Sequence, residues 1–253
     1  MLKLEYPPFG VLNLDAFSDF VFVCDHADNI VPRSLFGLGL DGVYLSSHIA
    51  YDIGALSVSK ALANSFKAPV IWQKYSRLVI DCNRQIDHKG LIPAVSDGIT
   101  IYGNQSLIER DRRDRINLIF KPYHKEIGRL LDKREKIVSN TFFISIHSFT
   151  PIMDGIKRPW KIGVLSGTDK DFSSRVLELL RSRYDFCIGD NEPYQVDSKD
   201  FTIPEHARKR NLPSVLLEIR QDLIDSEKKR QFWIKTIKSV LSKARRDYLA
   251  EHS

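Results

Sequence analysis

Phe142-Phe143-Ile144-Ser145-Ile146 is an apolar run that ends directly on His147-Ser148-Phe149-Thr150-Pro151, and Phe20-Val21-Phe22-Val23-Cys24 ends in the same way on Asp25-His26-Ala27-Asp28-Asn29. Short runs of this kind, rich in β-branched and aromatic residues and closed by polar ones, read as buried strands. Working outward, the same pattern predicts strands at Val70–Trp72, Leu78–Cys82, Ile162–Leu165 and Ser214–Ile219. Helical spacing lies between them. Ser46 to Phe66 predicts a helix with Ser46 or Ser47 as its N-cap, and Gln105 to Lys136 one or two charged helices. Asp171 to Arg183 predicts a helix capped by Thr168 or Asp169, and Ser226 to Leu249 the last helix. Strands alternating with helices imply an α/β fold, a three-layer α/β/α arrangement around a central mixed, mostly parallel sheet. No repeat, low-complexity segment or Pro/Gly-rich linker divides the chain, so one domain over 1–253 is expected.

The composition is that of a globular protein: 43% of the 253 residues are hydrophobic, enough for a core that needs no disulfide or metal staple. No window of about 18 apolar residues is free of charge, so no membrane span is expected. The N-terminus has no basic region followed by an apolar core and does not read as a secretory signal. Cys24, Cys82 and Cys187 are few, odd in number and set in apolar runs, the usage of a reducing cytoplasm. Lys and Arg outnumber Asp and Glu by 38 to 32, and the excess crowds the last helix, from Lys228 to Arg246. That reads as a solvated helix face. No zinc-finger spacing or RNA-binding signature accompanies it, so nucleic acid is not an expected partner.

Chemistry is expected at the strand ends. His26 and His147 each follow a strand, and Glu218 sits inside Val215-Leu216-Leu217-Glu218-Ile219. Two imidazoles and a strand-borne carboxylate suit a metal-bound water and its general base. Arginines nearby would neutralise a carboxylate or a developing oxyanion. From the residues alone the bland alternatives stay open: a histidine after a strand can be a plain hydrogen bonder, and Glu218 can pair with Arg220 or Arg77. Cys24 and Cys82 read as small core residues.

At these residues the sequence resembles known families. The Phe142–Phe149 run resembles the histidine strand of zinc carboxypeptidases, Asp81-Cys82-Asn83-Arg84 their Asp-x-Asn-Arg motif, also found in aspartoacylases, and Leu216-Leu217-Glu218-Ile219-Arg220-Gln221-Asp222 their glutamate strand. The chain is closer still to the N-formylglutamate amidohydrolase family. Asp25-His26-Ala27, His48-Ile49-Ala50-Tyr51-Asp52-Ile53-Gly54-Ala55 and Tyr75-Ser76-Arg77-Leu78 match its pattern. So do His147-Ser148-Phe149-Thr150-Pro151, Arg158-Pro159-Trp160 and Gly189-Asp190-Asn191-Glu192-Pro193-Tyr194.

The resemblance implies a zinc-carboxypeptidase-like fold holding one divalent metal ion, Zn²⁺, with His26 and His147 as ligands. It implies that Glu218 is the base, that Arg77 polarises the scissile carbonyl, and that Arg84 with Asn83 clamps a substrate carboxylate. Carboxypeptidases supply a glutamate three residues after the first histidine, where this chain has Asn29, so the third ligand must come from elsewhere. Asp52 is the first choice, one turn after His48 in the expected first helix; Asp28 is the second, with Asn29 and His48 behind it. Tyr194, His124 and His206 are further candidates for substrate contact, against a structural role. One of Arg110, Arg112, Arg113 and Arg115 is a candidate for the pocket mouth, the rest solvated. The implied activity is hydrolysis of the amide of a small carboxylate-bearing N-acyl amino acid such as N-formylglutamate, in the cytoplasm. The alternatives are a hydrolase of small peptides or cell-wall amides on the same fold, or a metal-free binding module.

Overall fold

The computed structural model describes residues 2–166 and 170–252. The expected caps Thr168 and Asp169 lie outside the described residues. Seven strands form one mixed sheet: β1 (Phe9–Leu12), β2 (Phe20–Cys24), β3 (Val70–Gln73), β4 (Phe142–Phe149), β5 (Ile162–Leu165), β6 (Ile188–Asp190) and β7 (Ser214–Arg220), in the spatial order β1-β3-β2-β4-β7-β5-β6. The pairs β3/β2, β2/β4, β4/β7 and β5/β6 are parallel, while β1/β3 and β7/β5 are antiparallel. The mixed, mostly parallel sheet expected from the sequence is thus the observed one.

Both faces are covered, which is why the strands read as continuous apolar runs rather than alternating ones. On one face Phe20, Phe22, Ile144, Ile146, Val215 and Leu217 pack with the helices α1 (Ala55–Phe66), α3 (Asp171–Arg183) and α4 (Glu227–Glu251). In α1 the buried residues Ala55, Val58, Ser59, Leu62 and Ala63 fall on one helical stripe. On the other face Val21, Val23, Phe143 and Leu216 pack with α2 (Lys121–Glu135) and its π-helical lead-in at Ile116–Phe120. The two faces separate even from odd positions along β2 and β4, as a period of two requires. Two small hairpins, Val95–Thr100 and Ile152–Lys157, project beside the sheet. Among the described residues no helix is long and apolar enough to cross a membrane.

Three expectations are corrected. The helix expected from Ser46 starts at Ala55, because residues 46–54 are held as turns by Asp52 N–H donating to the His26 carbonyl (2.8 Å) and Arg77 N–H to that of Ala50 (3.1 Å). Asp52 therefore lies in a loop before the helix. Leu78–Cys82 is no strand: Val79 N–H turns back to the Ser76 carbonyl at 2.9 Å, and the run is apolar because it lies in the core with α2. Arg115 is not solvated but buried, donating to the Val79 carbonyl (2.9 Å) and to Asn104 (2.7 Å). The edge strands β1 and β6 escaped the sequence reading because they are short and carry Gly10 and Gly189. Cys187 is exposed, whereas Cys24 and Cys82 are buried in the core, and all three are free.

Candidate active site

The side chains at the C-terminal ends of the central parallel strands share one rim. β2 runs out into Asp25 and His26, and β4 carries Ser145 and His147 on the α2 side of the sheet. In the parallel pairing of β4 with β7, His147 stands beside Glu218. The imidazole rings of His26 and His147 are 4.9 Å apart, centre to centre. Asp52 joins them from its loop: its Oδ2 lies 2.8 Å from His147 Nδ1 and 3.4 Å from His26 Nδ1, and accepts the Ser148 N–H at 3.2 Å. One donor atom from each of His26, Asp52 and His147 falls within 4.8 Å of the others, and all three residues are buried.

The far side of each ring is also anchored. His26 Nε2 pairs with Asp81 Oδ1 at 2.7 Å, and His147 Nε2 with Asp25 Oδ2 at 3.2 Å and Ser145 Oγ at 3.1 Å. Asp81 is fixed in turn by the Asn83 N–H (2.9 Å) and Arg77 Nη2 (2.7 Å). Asp25 accepts from the Tyr123 and Thr202 hydroxyls, both at 2.8 Å. Burial opposes charge on these carboxylates, but the imidazoles outweigh it. Asp25 is held at about 2, and Asp52 and Asp81 well below the usual carboxylate range, Asp81 with help from Arg77. Burial likewise opposes charge on His147, and its hydrogen bonds to Asp25 and Asp52 overcome it and raise the ring.

These residues fit a zinc ion. Bonds of about 2.0–2.2 Å in tetrahedral array put ligand atoms about 3.3 Å apart, and the Asp52 contacts, at 2.8 and 3.4 Å, bracket that spacing. His26 Nδ1 is buried and makes no hydrogen bond, an orphan that a metal would satisfy. With Nε2–H donated to a carboxylate, each Nδ1 is left as the lone-pair atom, the arrangement that orients zinc-ligating imidazoles. Two imidazoles and one carboxylate leave a fourth position open, as in catalytic zinc sites.

A cavity of about 370 Å³ opens over this cluster. Its wall includes His26, Asp52, His147, Glu218, Arg77, Asn83, Arg84 and Tyr194, with Ile49, Phe149, Met153, Leu165 and Leu216 as apolar surface. Glu218 is buried, and its Oε2 has no partner. Arg77 turns to Asp81 and Asp52, and Arg220 to Asp222 at 2.8 Å, so neither arginine holds Glu218. Burial pushes the Glu218 carboxyl up to about 7, against the pull of His147. Arg84 pairs with Asp200, and Asn83 accepts the Thr202 N–H at 3.0 Å.

Other expectations are redirected. His124 and His206 do not line the cavity: they are buried behind Asp25, hydrogen-bonded to each other at 2.9 Å, with His124 Nε2 on the Cys82 carbonyl. Burial holds His124 down to about 4, and the pair acts as neutral structural imidazoles. His48 pairs with Asp97 at 2.9 Å rather than with Asp52, Asp28 accepts its neighbour's N–H, and Asn29 donates to the Leu45 carbonyl, so none of them joins the donor cluster. The supporting residues Asp25, Ser145 and Thr202 were missed as site residues; the available signal was Asp25 directly before His26 and Ser145 two residues before His147, on the same face of β4.

The sequence model of the N-formylglutamate amidohydrolase family matches residues 18–225. None of the curated proteins matches the chain. The crystal structure of the gene product Atu2144 from Agrobacterium tumefaciens is similar at 32% identity and a TM-score of 0.93, over 96% of this chain and 97% of its own. That of an N-formylglutamate amidohydrolase from Ralstonia eutropha JMP134 shares the fold at 16% identity and a TM-score of 0.68, over 98% and 100%. With the family's pattern spanning most of its length, the chain belongs to the N-formylglutamate amidohydrolase family, hydrolases of carbon–nitrogen bonds other than peptide bonds.

Proposed function

We propose that this protein is a zinc-dependent amidohydrolase that cleaves a small N-acyl amino acid bearing a carboxylate, of the N-formyl-L-glutamate kind, to formate and the free amino acid. The observation that carries this reading is the meeting of His26, Asp52 and His147 at one rim with an unpartnered Glu218 beside them. When bound, zinc supplies a Lewis acid and lowers the pKa of water toward about 7. Glu218, buried beside the donor cluster with Oε2 free of any partner, takes the proton of the attacking water and delivers it to the leaving nitrogen. Arg77, held beside the cluster by Asp81, faces the cavity and donates to the oxygen on which charge develops. Arg84 and Asn83 hold a substrate carboxylate, and that grip orients the amide. Tyr194 lines the mouth. A cavity of about 370 Å³ suits a small N-acyl amino acid better than a peptide or a cell-wall strand. The reading takes the chain as one domain, and three free cysteines suit the cytoplasm.

The test is metal analysis together with formate release from N-formyl-L-glutamate. Glu218→Gln keeps the size and removes the base. It is expected to retain zinc and to lose about 10²–10⁴-fold in turnover. Full activity with zinc retained would sink the mechanism, and loss of zinc with activity would recast Glu218 as a ligand.

A further inference from the structure

The Arg158-Pro159-Trp160 motif has no part in the chemistry above, yet it sets a cation against two aromatic rings of the cavity wall. Arg158 follows the hairpin Ile152–Lys157 and is fixed at both ends of its backbone: its N–H donates to the Pro151 carbonyl (2.8 Å), and its carbonyl accepts from Arg220 at the end of β7 (3.3 Å). Its guanidinium lies 4.8 Å from the centre of the Tyr194 ring and 5.9 Å from that of Phe149, both on the cavity wall. Nη1 donates to the Tyr194 hydroxyl at 2.8 Å.

The arginines and the lysine of the wall itself each have a carboxylate partner: Arg77 has Asp81 and Asp52, Arg84 has Asp200, and Lys199 has Asp197 at 3.6 Å. Among the described residues no carboxylate comes within ion-pair distance of Arg158, and Nη1 alone of its three nitrogens makes a hydrogen bond. A half-buried guanidinium pre-set by stacking on two rings, with donors to spare, is built to take an anion in a fork. The Tyr194 hydroxyl accepts from Arg158 and keeps its own proton to donate beside it.

We propose that Arg158, backed by Tyr194, is a specificity-determining residue that binds a second anionic group of the substrate at the mouth. The site then prefers acyl amino acids with an acidic side chain over their neutral counterparts. This rests on the hydrolase reading for the identity of the ligand, but not for the binding it predicts.

The experiment is calorimetric titration of N-formyl-L-glutamate and of its neutral near-isostere N-formyl-L-glutamine. It is done in the Glu218→Gln protein, where ligand is consumed about 10²–10⁴-fold more slowly, and in Glu218→Gln/Arg158→Gln, with Arg158→Lys as the charge-keeping variant. The expected result is tighter binding of the glutamate form. Arg158→Gln abolishes that preference through a loss of about 10–100-fold on the glutamate form alone, and Arg158→Lys restores part of it. A role confined to stacking on Tyr194 would weaken both ligands equally and overturn the proposal. Equal binding of the two ligands by the Glu218→Gln protein, or no binding of either, would overturn it as well. Wild-type protein that keeps the Arg158-dependent preference but releases no formate would sink the hydrolase reading and leave this one standing.

Discussion

Asp52 Oδ2 faces two imidazole nitrogens and a backbone N–H at once, and no other carboxylate of the rim does so. Its amide isostere would present either a weak oxygen ligand or an N–H₂ group aimed at the His147 ring. Asp52→Asn is therefore expected to lower bound zinc at least tenfold, read by metal analysis after dialysis, with an unchanged circular dichroism spectrum. Zinc content equal to that of the wild type would remove Asp52 from the ligand set. At this scale the histidines and Glu218 were legible because each is a polar residue at or within a strand run that is otherwise apolar. Asp52 was legible only through resemblance. Its place depends on the turns of residues 46–54 and on a hydrogen bond to His26, which no local periodicity encodes. His124 and His206 were misplaced for the same reason: whether a histidine faces a cavity or backs onto a neighbour is decided by tertiary packing.

Among the elements, the loop after β6 reaches the site because the sheet leaves it room. Glu218 has Gly163 as its partner across β7 and β5, and a Cβ on Gly163 would lie 2.0 Å from the Glu192 carbonyl oxygen. Gly189 on β6 is also too close for a Cβ, at 2.4 Å from the same oxygen. The missing side chains let the Asn191–Tyr194 segment lie against the sheet and bring Tyr194 to the cavity. Gly163→Ala must push that backbone away. It is expected to cost about 1–3 kcal/mol of stability in denaturant unfolding and to weaken binding of N-formyl-L-glutamate. Gly42→Ala, where a Cβ meets nothing within 4 Å, is the control and should stay within about 0.5 kcal/mol of wild type. An unaltered Gly163→Ala protein would mean that the loop is not seated on the sheet. Elements with a full apolar run, such as β2, β4 and β7, could be read from sequence. Those whose hydrophobicity serves another purpose could not: residues 78–82 look like a strand because α2 buries them, and β1 looks like a loop because Gly10 makes way for the Trp72 ring, 2.3 Å from where its Cβ would stand.

At the scale of the whole molecule, two apolar layers stand without help from the site, and one buried carboxyl works against them. Burial raises Glu218 from 4.5 to about 7, so between those values the fold keeps a proton that the unfolded chain has released. The stability tied to this group is complete below about pH 4.5 and is lost as pH rises through about 7. In chelator-treated protein, Glu218→Gln should thus be more stable than wild type at pH 8, by up to about 3 kcal/mol, and the gap should close at pH 4. Thermal melts at the two pH values measure it; a variant no more stable at pH 8 would show that Glu218 is not buried uncompensated. The position of β7 has a further consequence, for synthesis. It is among the last strands to leave the ribosome, yet it lies in the middle of the sheet, between β4 and β5. Until it emerges, β4 presents an open edge, and β5 with β6 has nothing to join. The nascent chain can assemble His26, Asp52 and His147 before it holds Glu218, so a donor cluster is complete earlier than the carboxylate proposed to work beside it.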